Sequence, residues 1–476
     1  MNFRMTVYIL GVLLFFEGAF MAVPAVTAAV YHEHDLLLFS LIAAGCMIAG
    51  FVITRFKPKN RSLFARDGFI ICALSWIVLS VFGALPFYFS GAIPKFVDAM
   101  FESVSGFTTT GASILHTLEG MPKCMLMWRS FTHWVGGMGV LVLIMAFLPI
   151  SGGQNMYLMK AESPGPSVGK LVPRVKTTAK LLYFIYLGMT VIQIILLLIG
   201  GMPLFDSINI AAATAGTGGF SCSPEGMNYS PFCLNVITVF MFLFAVNFSC
   251  YFLLLHRRFK EAFTTELRVY LGIIAFAIIT VTLNVRHLFT GVGEALMHSA
   301  FTVGSLLSST GFATVDFNEW PQYSRTLLVI LMFIGAMAGS TGGGIKVSRI
   351  VILFRNMSNE LRVMLHPRQV KKIKLDGYPV EQEIIRNVHT FMSVYIFVYA
   401  ISMIILSFDG HDLTTNFTAV VATLDNIGPG LNLAGPMSNY DVFSTPSKIV
   451  LIFDMLAGRL ELFPIILLFS PSTWKK

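Results

Sequence analysis

Charge is what this chain has least of. Only 12% of its 476 residues are Asp, Glu, Lys or Arg, while 55% are hydrophobic, and a soluble protein carries roughly 25% charged residues. With apolar runs of about 20 residues recurring throughout, this shortage defines a polytopic helical membrane protein rather than a soluble one. The mean hydropathy is +0.74. Cysteine is also scarce. The six present form no CxxC pair and no zinc-like spacing. Cys222 and Cys233 share one outward connection, where a disulfide and two free, apolar thiols both fit. HExxH is absent, and no Ser, His and Asp are paired within spans, so an intramembrane enzyme lacks its machinery. A phosphate-binding Walker A loop is excluded as well, because Ile345 intervenes between Gly344 and Lys346. No cleavable signal is evident, since the first apolar run, Met5–Val30, is long enough to span.

The charge that remains is biased. Lys+Arg number 33 against 25 Asp+Glu, a net +8. Of the 33, 26 fall at Arg4, Arg55–Arg66, Lys160–Lys180, Arg257–Arg268, Lys346–Arg386 and Lys475–Lys476. Basic residues gather on the cytoplasmic side of membrane proteins, so these segments and both termini are expected there. A nucleic-acid partner is not implied, because no soluble basic face exists to bind one.

One stretch, SGFTTTGAS (Ser105–Ser113), returns three more times, as AGTGGFS (Ala215–Ser221), SSTGFAT (Ser308–Thr314) and DNIGPGL (Asp425–Leu431). The copies centre on Gly111, Gly218, Gly311 and Gly428. Each follows a short apolar segment and lies between two longer ones. The short segments are Asp98–Phe107, Leu204–Ala213, Ala295–Leu307 and Leu413–Leu424. At 1.5 Å per residue they reach roughly 15–20 Å, too little to cross a core of about 30 Å. They read as re-entrant pore helices, since irregular backbone at membrane depth is tolerated only where protein or water surrounds it. The flanking spans are Phe69–Phe89 and Leu126–Leu148, Leu181–Ile199 and Phe232–Leu255, Val269–Val285 and Leu327–Phe354, then Val388–Leu406 and Ile449–Leu468. With Met5–Val30 and Leu36–Ile53 these make ten spans.

The predicted fold is therefore all-α and polytopic: four helix–pore-helix–loop–helix repeats around a central pore, plus an N-terminal two-helix module. Boundaries are expected at 1–66 for the module, then 67–152, 153–258, 259–376 and 377–476 for the repeats. A pore helix stopping midway aims its negative end at the axis, and the loop beyond it can turn carbonyls inward to replace an ion's hydration shell. Thr109, Thr110 and Gly111, then Gly216, Thr217 and Gly218, then Ser309, Thr310 and Gly311, and finally Asn426, Ile427 and Gly428 are the candidate filter. Backbone carbonyls at Thr110, Thr217, Thr310 and Ile427 are the expected potassium ligands. No ring of carboxylates is present at the glycines. Asp425 adjoins the fourth loop, either bracing it or attracting cations.

These four stretches, with RSFTHWVGGMGV, AGSTGGGIKVSR and GRLELFP, cover nearly the whole chain from Phe69 onward. Together they resemble the Trk/Ktr/HKT superfamily of potassium transporters, and the two extra N-terminal spans resemble its TrkH branch. Leu327–Phe354 is 28 residues long, about 42 Å as one helix, and three consecutive glycines at about 1 kcal/mol each predict a break. The resemblance makes Gly339, Ser340, Thr341, Gly342, Gly343, Gly344 and Lys346 a movable gate beneath the filter; a small-residue packing site is the alternative. It also places Arg459 in the pore, although an ion pair with another helix would equally satisfy a buried charge. Arg129 and His133 are expected to anchor an outer helix end. The resemblance further implies potassium uptake without enzymatic activity, a homodimer, and a TrkA-like cytoplasmic nucleotide-binding ring, so that any nucleotide binds only the partner. The expected location is a bacterial cytoplasmic (inner) membrane. A proton- or sodium-coupled symporter on the same scaffold is the competing function, with Asp425, Glu102 and Asp316 as candidate coupling groups.

Overall fold

The computed structural model describes residues 2–58, 63–139, 175–366 and 372–474. The inner end of the span expected to reach Leu148, the boundary at 152, and most of Lys160–Lys180 lie outside the described residues. Six helices among those described are long and apolar enough to cross a bilayer, or seven if one pair bent by 93° is a single span.

The N-terminal module consists of α1 (Phe3–Phe20), α2 (Ala22–Val30) and α3 (Leu36–Arg55). Glycines let α1 and α3 approach closely. A Cβ on Gly18 would lie 2.6 Å from the Ala43 carbonyl oxygen, and one on Gly50 2.6 Å from the Phe15 nitrogen. The turn after α2 then reaches into the first repeat. Glu33 Oε1 and Oε2 accept the backbone N–H groups of Lys123 (2.6 Å) and Cys124 (2.9 Å), capping the helix that starts there.

Each repeat opens with a long helix and continues with a short one. The long helices are α4 (Ala65–Phe89), α7 (Val175–Ile199), α11 (Thr265–Val285) and α15 (Gln382–Leu406). The short ones are α5 (Phe96–Phe107), α8 (Leu204–Gly216), α12 (Val292–Leu307) and α16 (Leu413–Leu424). All four short helices carry a carboxylate at their N-terminal end. Asp98, Asp206 and Glu294 lie in the first turn, and Asp412 is the N-cap of α16. A negative group there complements the helix dipole.

The closing segments are α6 (Lys123–Gly137), α9 with α10 (Pro231–Phe244, Phe248–Leu255), α13 with α14 (Gln322–Ile334, Val347–Leu365), and α17 with α18 (Thr445–Arg459, Phe463–Leu468). Sequence reading predicts one break, at Gly339–Gly344. The structure interrupts three closing segments, after Phe244, Ile334 and Arg459, and α6 also stops at Gly137, ahead of the left-handed Gly139 (φ +81°). Asn247 restarts the second by accepting Ser249 N–H on Oδ1 at 2.8 Å. In the fourth, Glu461 and Leu462 take φ +54° and +67°, and Pro464 stands in the first turn of the next helix. The third break opens four residues earlier than expected, at Gly335 (φ +68°).

Candidate ion pathway

Four loops follow the short helices with one shared backbone course. Left-handed residues stand at Thr109, Thr217, Ser309 and Asn426, with φ between +54° and +59°. The next residue's N–H returns to the helix in every copy: Thr110 to Ser105 O (2.9 Å), Gly218 to Ala213 O, Thr310 to Ser305 O and Ile427 to Ala422 O (2.8 Å each). A second positive φ follows at Gly111 (+79°), Gly219 (+80°), Gly311 (+84°) and Gly428 (+97°). The second copy is therefore in register at Gly219, one residue later than the expected Gly218. Its counterpart of Thr110 is Gly218, not Thr217. The sequence TGG offers two glycines, and the helix-end hydrogen bonds choose between them.

The loops close on one another in a ring. A Cβ added to Gly111 would strike Gly218 O, one on Gly219 would strike Thr310 O, and one on Gly311 would strike Ile427 O. One on Gly428 would lie 2.7 Å from Thr110 O. Each copy's glycine thus backs onto the carbonyl just before the next copy's glycine, and the fourth returns to the first. Any side chain at these positions would both strain a left-handed backbone and displace a neighbour's carbonyl.

Buried polar groups hold the ring. Arg129 Nε donates to Glu102 Oε1 at 2.7 Å, with the two side chains 3% and 0% exposed. Glu102 also accepts Ser113 Oγ (3.0 Å) and Ile114 N–H (3.2 Å), while Arg129 Nη1 reaches Ser221 O (3.2 Å). His133 Nε2 accepts Phe220 N–H at 3.3 Å, so Nδ1 donates to Gly106 O at 2.8 Å. Arg129 and His133 thus tie the first two loops together rather than anchor an outer helix end. Asn426 Nδ2 donates to Thr110 Oγ1 and Met455 O, both at 2.9 Å, linking the fourth loop to the first. Asp425 accepts Tyr395 OH at 2.8 Å, the geometry of a brace. Cys222 and Cys233 are both free and buried.

Residues 335–346 form a loop packed under this ring. Gly343 N–H donates to Ser309 Oγ, and Gly344 N–H to Asp425 O at 3.0 Å. Met337 N–H donates to Ala245 O (3.1 Å) and Thr341 Oγ1 to Phe244 O (3.1 Å), so the broken second closing segment presents its free carbonyls to the loop. Glu266 Oε1 accepts Ala338 N–H (2.8 Å) and Ser348 N–H (3.1 Å), clasping both sides of the loop. Lys346 Nζ folds back onto Gly342 O.

Arg459 ends α17 rather than lying mid-helix. Nη1 donates to Thr341 O (2.8 Å), and Nη2 to Gly136 O (2.5 Å) and Gly137 O (2.7 Å). The nearby Glu461 pairs instead with Arg349. Among the expected residues, those of the four loops meet at the ring and Gly339–Lys346 lie beneath it, joined to Arg459. Sequence reading missed Gly219, the pairing of Glu102 with Arg129 and the start of the lower loop at Gly335; the doubled glycine of TAGTGGFS was the available signal for the first.

This arrangement defines a multi-pass all-α membrane protein in which four loops close into a ring. The sequence profile of TrkH, described as a cation transport protein, matches residues 39–476. The Salmonella typhimurium Trk system potassium uptake protein TrkH is 36% identical over 487 residues, covering 100% of both chains. TrkG of the Escherichia coli Trk system is 32% identical over 481 residues, covering 99% of each. The crystal structure of the potassium transporter TrkH from Vibrio parahaemolyticus superposes with a TM-score of 0.89 at 34% identity, covering 100% of both chains. The chain belongs to the TrkH family of cation transport proteins, a family of transporters and not of enzymes.

Proposed function

We propose that this chain takes up potassium across a bacterial cytoplasmic membrane through a channel-like pore, with both termini in the cytoplasm. The observation that carries the reading is the closed ring, in which four carbonyl–glycine contacts bring four loops to one centre. Carbonyls of Thr110, Gly218, Thr310 and Ile427, with those beside them, are the proposed ligands of the dehydrated ion. The loop 335–346 is the gate, and Arg459 latches it. A membrane potential, inside negative, supplies about 2.3 kcal/mol per charge per 100 mV, so no fuel site is needed in this chain.

A coupled symporter would need a free carboxylate in the path. Glu102 is committed to Arg129, Asp425 to Tyr395, and Asp316 caps Asn318 N–H at 2.9 Å. Regulation is assigned to a nucleotide-binding ring docked below a homodimer. The inner half of α14 suits that docking, since Phe354, Met357, Leu361, Met364 and Leu365 are all more than half exposed.

Potassium and sodium flux into liposomes, with a potassium gradient and no proton gradient, tests the reading. Wild type is expected to conduct potassium selectively, and Gly111→Ser and Gly219→Ser to relax that selectivity. Unchanged selectivity in both variants would remove the filter assignment, and flux demanding a proton gradient would favour the symporter.

A further inference from the structure

A lateral groove of about 490 Å³ opens between α13 and α16. Its floor is apolar and includes Val329, Phe333, Phe417 and Leu431, while Gln322 and Arg325 stand at its mouth. The groove leaves α16, a half-length helix beside the ring, uncovered along one flank; Leu413 is 73% exposed. Arg325 is the charged residue among those lining it. Nη1 donates to the Asn318 carbonyl (3.3 Å) and Nη2 to the Gln322 amide oxygen (2.5 Å), both neutral. The guanidinium makes no ion pair among the described residues, and its buried Nε has no acceptor among them.

We propose that this groove binds an anionic phospholipid, with its phosphate on Arg325 and one acyl chain along Val329, Phe333 and Phe417. Three features select that occupant. An arginine facing only neutral acceptors is suited to a phosphate, which it can bind through two parallel hydrogen bonds. From Gln322 to Phe333 the groove follows eleven helical steps, about 16 Å, and one leaflet of a core of about 30 Å is half that thickness. Tyr323, 48% exposed beside the mouth, is the aromatic residue type enriched at headgroup level. A free phosphate would use the head of the site and leave the apolar floor bare.

Binding here stands apart from the transport reading, but it touches the same machinery. At the inner end the Phe333 ring lies 6.0 Å from Phe417 and 6.4 Å from Tyr395, centroid to centroid. Tyr395 braces Asp425, and the Phe333 carbonyl accepts Ile345 N–H of the lower loop at 3.2 Å. A chain filling the groove therefore holds α13 and the lower loop in the arrangement described.

Native mass spectrometry of the full-length protein in detergent tests this, using phosphatidylglycerol, phosphatidylcholine and glycerol phosphate as probes. Pairing the net negative charge of phosphatidylglycerol with the partly exposed Arg325 is worth up to about 1 kcal/mol, which predicts about fivefold tighter first binding than that of phosphatidylcholine. Arg325→Gln is expected to erase that preference, Arg325→Lys to keep most of it, and Val329→Trp to remove one bound lipid of either kind. Glycerol phosphate is expected not to compete. Equal binding of the two lipids by wild type, or a preference surviving in Arg325→Gln, overturns the proposal. So does displacement by glycerol phosphate, which would leave only a phosphate site. A Val329→Trp chain that changes its subunit stoichiometry and keeps its lipid would make the groove a contact between copies instead.

Discussion

Replacing Arg459 with Gln separates a latched loop from a merely crowded one. Arg459 Nη1 donates to Thr341 O of the lower loop at 2.8 Å, while the bonds from Nη2 to Gly136 and Gly137 hold the arginine itself to the end of α6. A hydrogen bond from a charged donor contributes about 1.5–3 kcal/mol. At about 1.4 kcal/mol per tenfold, its loss lowers the docked-to-undocked ratio of the loop roughly 10- to 150-fold. The loop is not freed outright, because Glu266, Asp425 O and Ala245 O keep their bonds to it. Potassium uptake into liposomes is the assay, with Arg459→Lys as the companion. Lysine keeps the charge but cannot reach three carbonyls with a planar fork. Flux is expected to rise in the order wild type, Lys, Gln. A Gln variant no faster than wild type, at matched incorporation, refutes the latch.

Two further outcomes follow from the buried and surface ion pairs. Removing one partner of a buried pair costs about 3–5 kcal/mol, so Glu102→Gln is expected to lower unfolding stability by that order, and a loss below about 1 kcal/mol in denaturant titration would contradict the bracing role. In the loop before α17, hydrogen bonds from Lys448 and then His116 hold the Asp441 carboxyl below its ordinary value. That stabilisation is complete above the unfolded value of about 3.9 and is lost as pH falls through the lower folded one. The gap in unfolding temperature between wild type and Asp441→Asn should therefore close under acid conditions; a gap that widens on acidification speaks against the pairing.

The short helices were the most legible part of the sequence. Leu413–Leu424 is helical over the expected residues, and the other three differ only at their ends. Their length was the signal, because a segment too short to span has few alternatives in a membrane. The interruptions of the second and fourth closing segments were not legible. Asn247 and the Glu461–Leu462 turn sit inside apolar runs; the carbonyls at the second break are satisfied by the lower loop, distant in sequence, and those at the end of α17 by the N–H groups of Leu460, Glu461 and Leu462. The register of the second loop was hidden for a related reason. Gly218 and Gly219 are chemically identical, and only the hydrogen bonds to Ala213 and Thr214, together with the His133 ring against Gly218, distinguish them. Glu102 and Arg129 each stood out as charges in apolar surroundings, but their 27-residue separation concealed that they answer one another.

Because every glycine of the ring leans on the carbonyl of the following copy, the four copies are ordered like people seated in a circle, each resting on the next. A side chain added at one glycine should therefore press first on its successor's carbonyl. In a pore assembled from identical subunits a substitution strikes all four seats together. Here each seat is encoded separately, so evolution and the experimenter can alter a single one and watch in which direction around the circle the disturbance travels.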